Sequence, residues 1–191
     1  MTQSELLKLM NELGAHKQGH FLLSSGRHSD TYFQCAQVLQ FPDLCTELGK
    51  LIADQYEPDA YDLVVAPALG AILLGHEVAR ALGRRFVFTE RKGGVMCLRR
   101  GFSIETGERV LIVEDVVTRG TSTWEVADIV KEHGGEVCGL ASLVNRTDES
   151  VKLPMPIRSL MQIQVATYDP DDCPLCKEGQ TVVKPGSRTG S

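Results

Sequence analysis

Along the chain the spacing of apolar positions changes, and with it the element each stretch favours. Leu6, Leu7, Met10 and Leu13 recur at helical steps, which predicts an amphipathic helix over residues 1–13 with Gly14 as its stop. A second helix is expected over 43–55, with Pro42 before it and Pro58 closing the next turn. From residue 62 short apolar runs alternate with helical stretches: a strand at 62–67 (DLVVAP), a helix at 70–82 ended by Gly83, and a strand at 85–89. Further on come a strand at 109–115 (RVLIVED), a helix at 122–133 stopped by Gly134 and Gly135, and strands at 136–144 and 159–166. Such alternation implies right-handed crossovers, hence an α/β fold whose parallel sheet is covered by helices on both faces. Ligands of such sheets lie beyond the carboxyl ends of the strands. Two stretches fit neither period. Residues 19–34, rich in Gly, Ser, His and Asp around Tyr32 and Phe33, are too polar for a core strand and read as a binding segment. Residues 90–107 form a charged loop interrupted by Gly93, Gly94 and Gly101.

Composition narrows the class. A chain of 191 residues, 42% hydrophobic and 24% charged, supports one packed core rather than two. No apolar run approaches the roughly 20 residues of a membrane helix, and no secretory signal opens the chain, so a cytoplasmic protein with no membrane partner is expected. The net charge of -5 disfavours an extended nucleic-acid surface. Within that acidic total, Arg80, Arg84, Arg85, Arg91, Lys92, Arg99 and Arg100 stand against Glu90 alone, a concentration that suits a small polyanion. The six cysteines do not form a disulfide framework in a chain of this size. Cys173 and Cys176 in CPLC could be half a zinc site, a redox pair or turn residues; with no second CxxC and no clustered histidines beside them, structural thiols are the favoured reading.

The chemistry concentrates in VLIVEDVVTRGTST, residues 110–123, where a buried strand ends in Glu114 and Asp115 and a Gly- and hydroxyl-rich loop leads into a helix. The free N–H groups of a helix start, with the hydroxyls of Thr118, Thr121, Ser122 and Thr123, suit a phosphate, and Gly120 lets the backbone come close. Carboxylates repel phosphate. They suit vicinal ribose hydroxyls, or a magnesium ion carried by the ligand, so the pair and the loop together describe a ribose 5-phosphate site. The spacing is neither GxxxxGK[ST] nor GxGxxG. A weaker strand-to-helix turn, APALGA at 66–71, offers Ala68, Leu69 and Gly70 to a second phosphate group.

These residues resemble the PRPP-binding motif of the type I phosphoribosyltransferases. The segments GHFLLSSGRHSDTYFQCA (19–36), ERKGGVMCLRRGF (90–102), VNR (144–146) and the tail from CPLC to KPGSR (173–188) are similar, in order, to bacterial orotate phosphoribosyltransferases. The resemblance implies one domain over 1–191, with hood elements at about 1–40 and 155–191 around a core at about 41–154. It implies that Glu114 and Asp115 hold the ribose hydroxyls and that Val116, Val117, Thr118, Arg119, Gly120, Thr121 and Ser122 wrap the 5-phosphate. Ala68, Leu69 and Gly70 would bind the diphosphate. Orotate would meet Thr118, Arg146, Ser24 and Ser25. Arg91, Lys92, Arg99 and Arg100 would sit on a catalytic hood and, with Asp115, form the catalytic set. The loop departs from the best-known form of the family, having Leu98-Arg99-Arg100-Gly101 where that form carries a lysine and a histidine, and Ser24 stands in place of an orotate-binding lysine. Also implied are Mg2+ as cofactor and a homodimer whose hood loop closes over the partner's site. A purine-base transferase and a non-catalytic PRPP-binding regulator are the competing readings.

Overall fold

The computed structural model describes residues 1–23, 25–148 and 150–185. Helix α1 (Gln3–Glu12) opens with a capping box in which Thr2 and Glu5 satisfy each other's backbone N–H groups. Its buried Leu6 and Met10 enter the core. Next come strands β1 (His16–Leu22) and β2 (His28–Phe33), the short helix α2 (Ala36–Leu39) and α3 (Pro42–Ala53), which starts on Pro42. The α/β unit follows as β3 (Leu63–Pro67), α4 (Ile72–Leu82), β4 (Arg85–Lys92), β5 (Val95–Leu98), β6 (Arg109–Val117), α5 (Thr121–Glu132), β7 (Glu136–Asn145) and β8 (Ile157–Gln162). The chain closes with β9 (Thr167–Tyr168) and the single turn α6 (Pro174–Lys177).

Six strands form the main sheet in the order β5-β4-β3-β6-β7-β8, parallel except for β5. Side-chain alternation sorts its two faces. Val64, Leu111, Val113, Ala141 and Leu143 pack with α3 and α4 in one core, whereas Leu63, Val65, Val110, Ile112 and Leu140 pack with Val126, Ala127 and Val130 of α5 in the other. Burial on both faces explains why these strands read as unbroken apolar runs.

The order of strands places the site. From β3 the chain moves outward through α4 to β4, then returns to lay β6 on the other side of β3 before continuing to β7 and β8. The helices that follow β3 and β6 therefore lie on opposite faces, and a crevice opens between the two strand ends, where open α/β sheets bind ligands.

Three sequence-based expectations need correction. Residues 19–34 are mostly strand: β1 and β2 form an antiparallel hairpin in a small sheet of order β1-β2-β9. Their polar composition matches their burial, since Lys17, Gln18 and Gly19 are exposed in succession, on both faces of β1, while His20 and Phe21 are buried. Residues 90–98 are not a loop either, because β4 runs on to Lys92, turns at Gly93 and Gly94, both at positive φ, and returns as β5. The boundary of the C-terminal hood also moves, since β8 is the edge strand of the main sheet, paired with β7, and only the chain beyond it joins the hairpin.

Candidate active site

A cleft of about 880 Å3 lies over the carboxyl end of β6. Its floor is Glu114 to Thr123; its walls are Arg91, Arg146 and, from the small sheet and the tail, Ser25, Arg27, Tyr32, Phe33 and Lys184. The structure thus brings together most of the residues expected from sequence: Glu114, Asp115, Val116, Val117, Thr118, Arg119, Gly120, Thr121, Ser122, Ser25, Arg146 and Arg91. Ser24 and residues 186–188 of the tail lie outside the described residues.

Helix α5 begins on Gly120, which adopts the left-handed conformation (φ 71°) and caps with no side chain, leaving the first N–H groups of the helix free for a ligand. A side chain at Gly120 would be strained at that φ and would run into Leu153. Glu114 is buried, and among the described residues neither Glu114 nor Asp115 forms an ion pair. Burial, reinforced by the neighbouring Asp115 charge, pushes the Glu114 carboxyl well above the ordinary carboxylate range. The Thr123 hydroxyl lies close enough to oppose that shift, though not in hydrogen-bond geometry. Burial raises Asp115 as well, against the pull of the Val116 and Asp115 backbone N–H groups. Two adjacent acidic groups desolvated without a cation are costly in the free protein, and are the arrangement a ligand carrying hydroxyls or a cation would relieve.

Arg146 follows β7 and is half-buried in the cleft wall. Its guanidinium lies 5.8 Å from the centre of the Phe33 ring, and its buried Nε has no hydrogen-bond partner among the described residues. Burial lowers its affinity for the proton, while Asp30 and Tyr32 nearby act in the opposite sense. A guanidinium in the wall of an open cleft, in no ion pair among the described residues, suits an anionic, planar ligand.

The loop Ala68, Leu69 and Gly70, expected to bind the diphosphate, does not line this cleft but abuts it. Ala68 N–H donates to the Thr89 carbonyl (2.7 Å), Leu69 is 78% exposed, and a Cβ at Gly70 would stand 2.9 Å from Asp115 Cγ and closer to Oδ2. Glycine at 70 is thus what allows the loops after β3 and β6 to meet across the crevice.

The cations expected on the hood divide into one that lines this cleft and three that do not. Arg91 reaches the cleft, held by Glu125 of α5 (Nη1 to Oε1 2.9 Å) and by the Gly94 carbonyl (2.7 Å). Lys92, Arg99 and Arg100 do not line the cleft. Arg99 and Arg100 both pair with Glu90, at 3.2 and 2.9 Å, and the Arg100 guanidinium lies over Phe88. The β4–β5 hairpin carries them along the sheet edge, away from the crevice of their own chain. Sequence reasoning also missed Arg27, Tyr32, Phe33 and Lys184 as lining residues. The first three fall inside the segment marked for binding, so a signal exists, but without the hairpin register it cannot be resolved to individual positions.

Fold and cleft together define an α/β protein with a carboxylate pair and a free helix start set at the switch point of its sheet. A phosphoribosyl transferase domain is matched over residues 34–171. The chain is 50% identical over 188 residues to the orotate phosphoribosyltransferase of Pelotomaculum thermopropionicum, covering 98% of this chain and 99% of that one. It is 47% identical to the enzyme of the same name from Caldanaerobacter subterraneus subsp. tengcongensis, again over 98% of this chain and 99% of the other. The crystal structure of orotate phosphoribosyltransferase from Aeropyrum pernix shares the fold, with a TM-score of 0.67 at 22% identity over 83% of this chain and 93% of that one. The chain belongs to the phosphoribosyltransferase family, among its orotate phosphoribosyltransferases.

One prediction arises from the loop contact. Gly70→Ala forces either Asp115 or the loop to move, and a shift of about 1 Å in a reacting group can cost about 100-fold. We expect kcat/KM for PRPP to fall by about that factor while the melting temperature changes little, because the strain falls at an open crevice; steady-state kinetics and a thermal melt on the same sample check both.

Proposed function

We propose that the protein transfers the 5-phosphoribosyl group of PRPP to N1 of orotate, giving orotidine 5'-monophosphate and pyrophosphate. The observation that carries this reading is the buried Glu114 with the half-buried Asp115 next to it, neither in an ion pair among the described residues, beside the uncapped start of α5. Acidic oxygens at one end and free N–H groups at the other match the diol and the 5-phosphate of one ribose phosphate.

In the reaction the N1–C1 bond forms as the C1–O bond to pyrophosphate breaks, with inversion at the anomeric carbon, and the N1 proton is released to solvent or to the departing pyrophosphate. Pyrophosphate is a good leaving group, so the protein contributes mainly position and charge stabilisation. Arg146, in the cleft wall, aligns the base through the outer N–H groups of its guanidinium. Thr118 and Ser25 complete the rim of the base pocket. The leaving group is received by the loop Ala68, Leu69 and Gly70, which stands against Asp115. The hard oxygen donors of Glu114 and Asp115 fit Mg2+, which when bound would neutralise charge on the diphosphate. Lys92, Arg99 and Arg100, turned from their own cleft, serve the site of a second copy in a homodimer. The reaction takes place in the cytoplasm, and the partners are small molecules rather than nucleic acid or membrane.

A panel of bases tests the assignment. With PRPP and Mg2+, pyrophosphate release is expected with orotate and not with adenine, guanine or hypoxanthine. Release with a purine and none with orotate would make the protein a purine transferase. PRPP binding without release on any base would make it a non-catalytic regulator.

A further inference from the structure

The small sheet and the tail meet at a cluster that the transfer reaction does not use. His20 of β1, His28 of β2, Cys173 just before α6 and Cys176 within it bring one ligand atom each to within 4.8 Å of one another. His20 Nε2 lies 2.8 Å from His28 Nδ1, 3.6 Å from Cys173 Sγ and 3.7 Å from Cys176 Sγ, and Cys176 Sγ lies 3.3 Å from His28 Nδ1. A tetrahedral zinc with bonds of about 2.0–2.1 Å to nitrogen and about 2.3 Å to sulfur separates its ligand atoms by roughly 3.3–3.8 Å. The four atoms therefore already stand close to the corners of such a site. We propose that His20, His28, Cys173 and Cys176 bind a structural Zn2+ ion.

Local structure explains how the cluster arises. Leu22 opposes His28 across the hairpin, and His20, two residues before Leu22, shares that face. A bulge between Gln18 and Phe21 adjusts the strand just where His20 lies. On the other side Cys173 precedes and Cys176 falls within one helical turn, so both thiols project the same way. Gly179, at φ 74°, then folds the chain back, and the Gln180 carbonyl meets His20 Nδ1 at 2.9 Å. That carbonyl accepts the proton of Nδ1 and so fixes the tautomer in which Nε2 presents its lone pair to the cluster, the outer-shell contact characteristic of histidine ligands. His20, His28 and Cys173 are buried, while Cys176 is exposed and leaves an entry path. Two thiolates and two imidazoles favour zinc over magnesium or calcium, and four protein ligands leave no open position for catalysis.

The consequence is architectural. Beyond the cluster the tail continues along β1, where Val183 N–H donates to the His20 carbonyl and Leu22 N–H to the Val183 carbonyl, both at 2.8 Å. Lys184 and Pro185 then line the cleft, as do Leu22, Leu23, Ser25 and Arg27 of the hairpin turn. Zinc would clamp these two walls of the cleft together, compensating for the small hydrophobic core of a three-stranded sheet.

Elemental analysis of the full chain, purified without chelator from zinc-supplemented cells, should give about one zinc per chain. Cys176→Ser and His28→Ala should each lose it and melt several degrees lower, whereas Cys97→Ser should retain it. Reconstitution of the reduced wild-type chain with Co2+ should give the intense visible bands and thiolate charge-transfer absorption of a tetrahedral S2N2 site, a readout that stands even if a variant fails to fold. None of these measurements depends on turnover, so a failed base panel leaves them intact. Absence of stoichiometric metal in reduced protein supplied with zinc, zinc retained by the Cys176→Ser and His28→Ala variants, or a mass showing Cys173 and Cys176 joined as a disulfide in the freshly purified chain would overturn the proposal.

Discussion

The double substitution Glu114→Gln with Asp115→Asn is expected to lower kcat/KM for PRPP by about 100- to 10,000-fold and to raise the stability of the free protein. The first effect follows from the loss of two hydrogen bonds to charged acceptors, each contributing about 1.5–3 kcal/mol. The second follows from burial: both carboxyl groups are desolvated, without an ion pair among the described residues, and neutral amides escape that cost. The pH dependence has a definite sign. Burial raises both acids above their unfolded values, so between those values and the raised ones the folded state holds more protons than the unfolded state. Stability contributed by these groups is fully present below the ordinary carboxylate range and is lost as pH rises through the raised values. Calorimetric melts over a pH series should therefore show the wild type losing stability across that window relative to the double variant. Wild-type kinetics in the variant, or a variant less stable than wild type at neutral pH, would remove the pair from the role assigned to it.

How much of this can be read from the chain depends on whether the decisive contacts are local. β3 and β6 are legible because strands buried on both faces are continuous apolar runs, and the cradle is legible because Glu114, Asp115 and the loop to Ser122 are consecutive. The hairpin of β1 and β2 is not, since its polar faces break the alternation that marks a half-buried strand. The two-residue turn Gly93-Gly94 does carry a hairpin signal, but its charged flanks read as a loop. Arg99 and Arg100 look like free cations because Glu90, nine and ten residues earlier, shares no helical or strand spacing with them; the fold supplies that pairing. His20 and Cys173 are separated by 153 residues, so no linear pattern joins CPLC to its histidines. What is long-range in sequence stays hidden for that reason alone, whether it is an ion pair or a metal-ligand set.

Arg146→Lys is expected to raise KM for orotate by about 10- to 100-fold while leaving KM for PRPP nearly unchanged. Arginine presents a planar fork that meets a carboxylate or an imide edge through two parallel N–H donors, and lysine offers one point charge. The position is built for the fork: Phe33 lies beneath the guanidinium, and among the described residues no carboxylate forms an ion pair with it, so its outer N–H groups are left for a ligand in the cleft. Lysine would keep the positive charge near Asp30 and Tyr32, which isolates the loss of geometry from the loss of charge. Arg146→Leu removes both and should cost a further factor of about ten or more, without destabilising the free protein, because an unpaired buried donor is itself unfavourable. Initial rates with orotate and PRPP varied in turn separate the two KM values, and a thermal melt of each variant reports the fold. Should both variants keep the wild-type KM for orotate, the base would have to be held from elsewhere, with Arg27 and Lys184, the remaining cations of the small-sheet and tail wall, the first residues to examine.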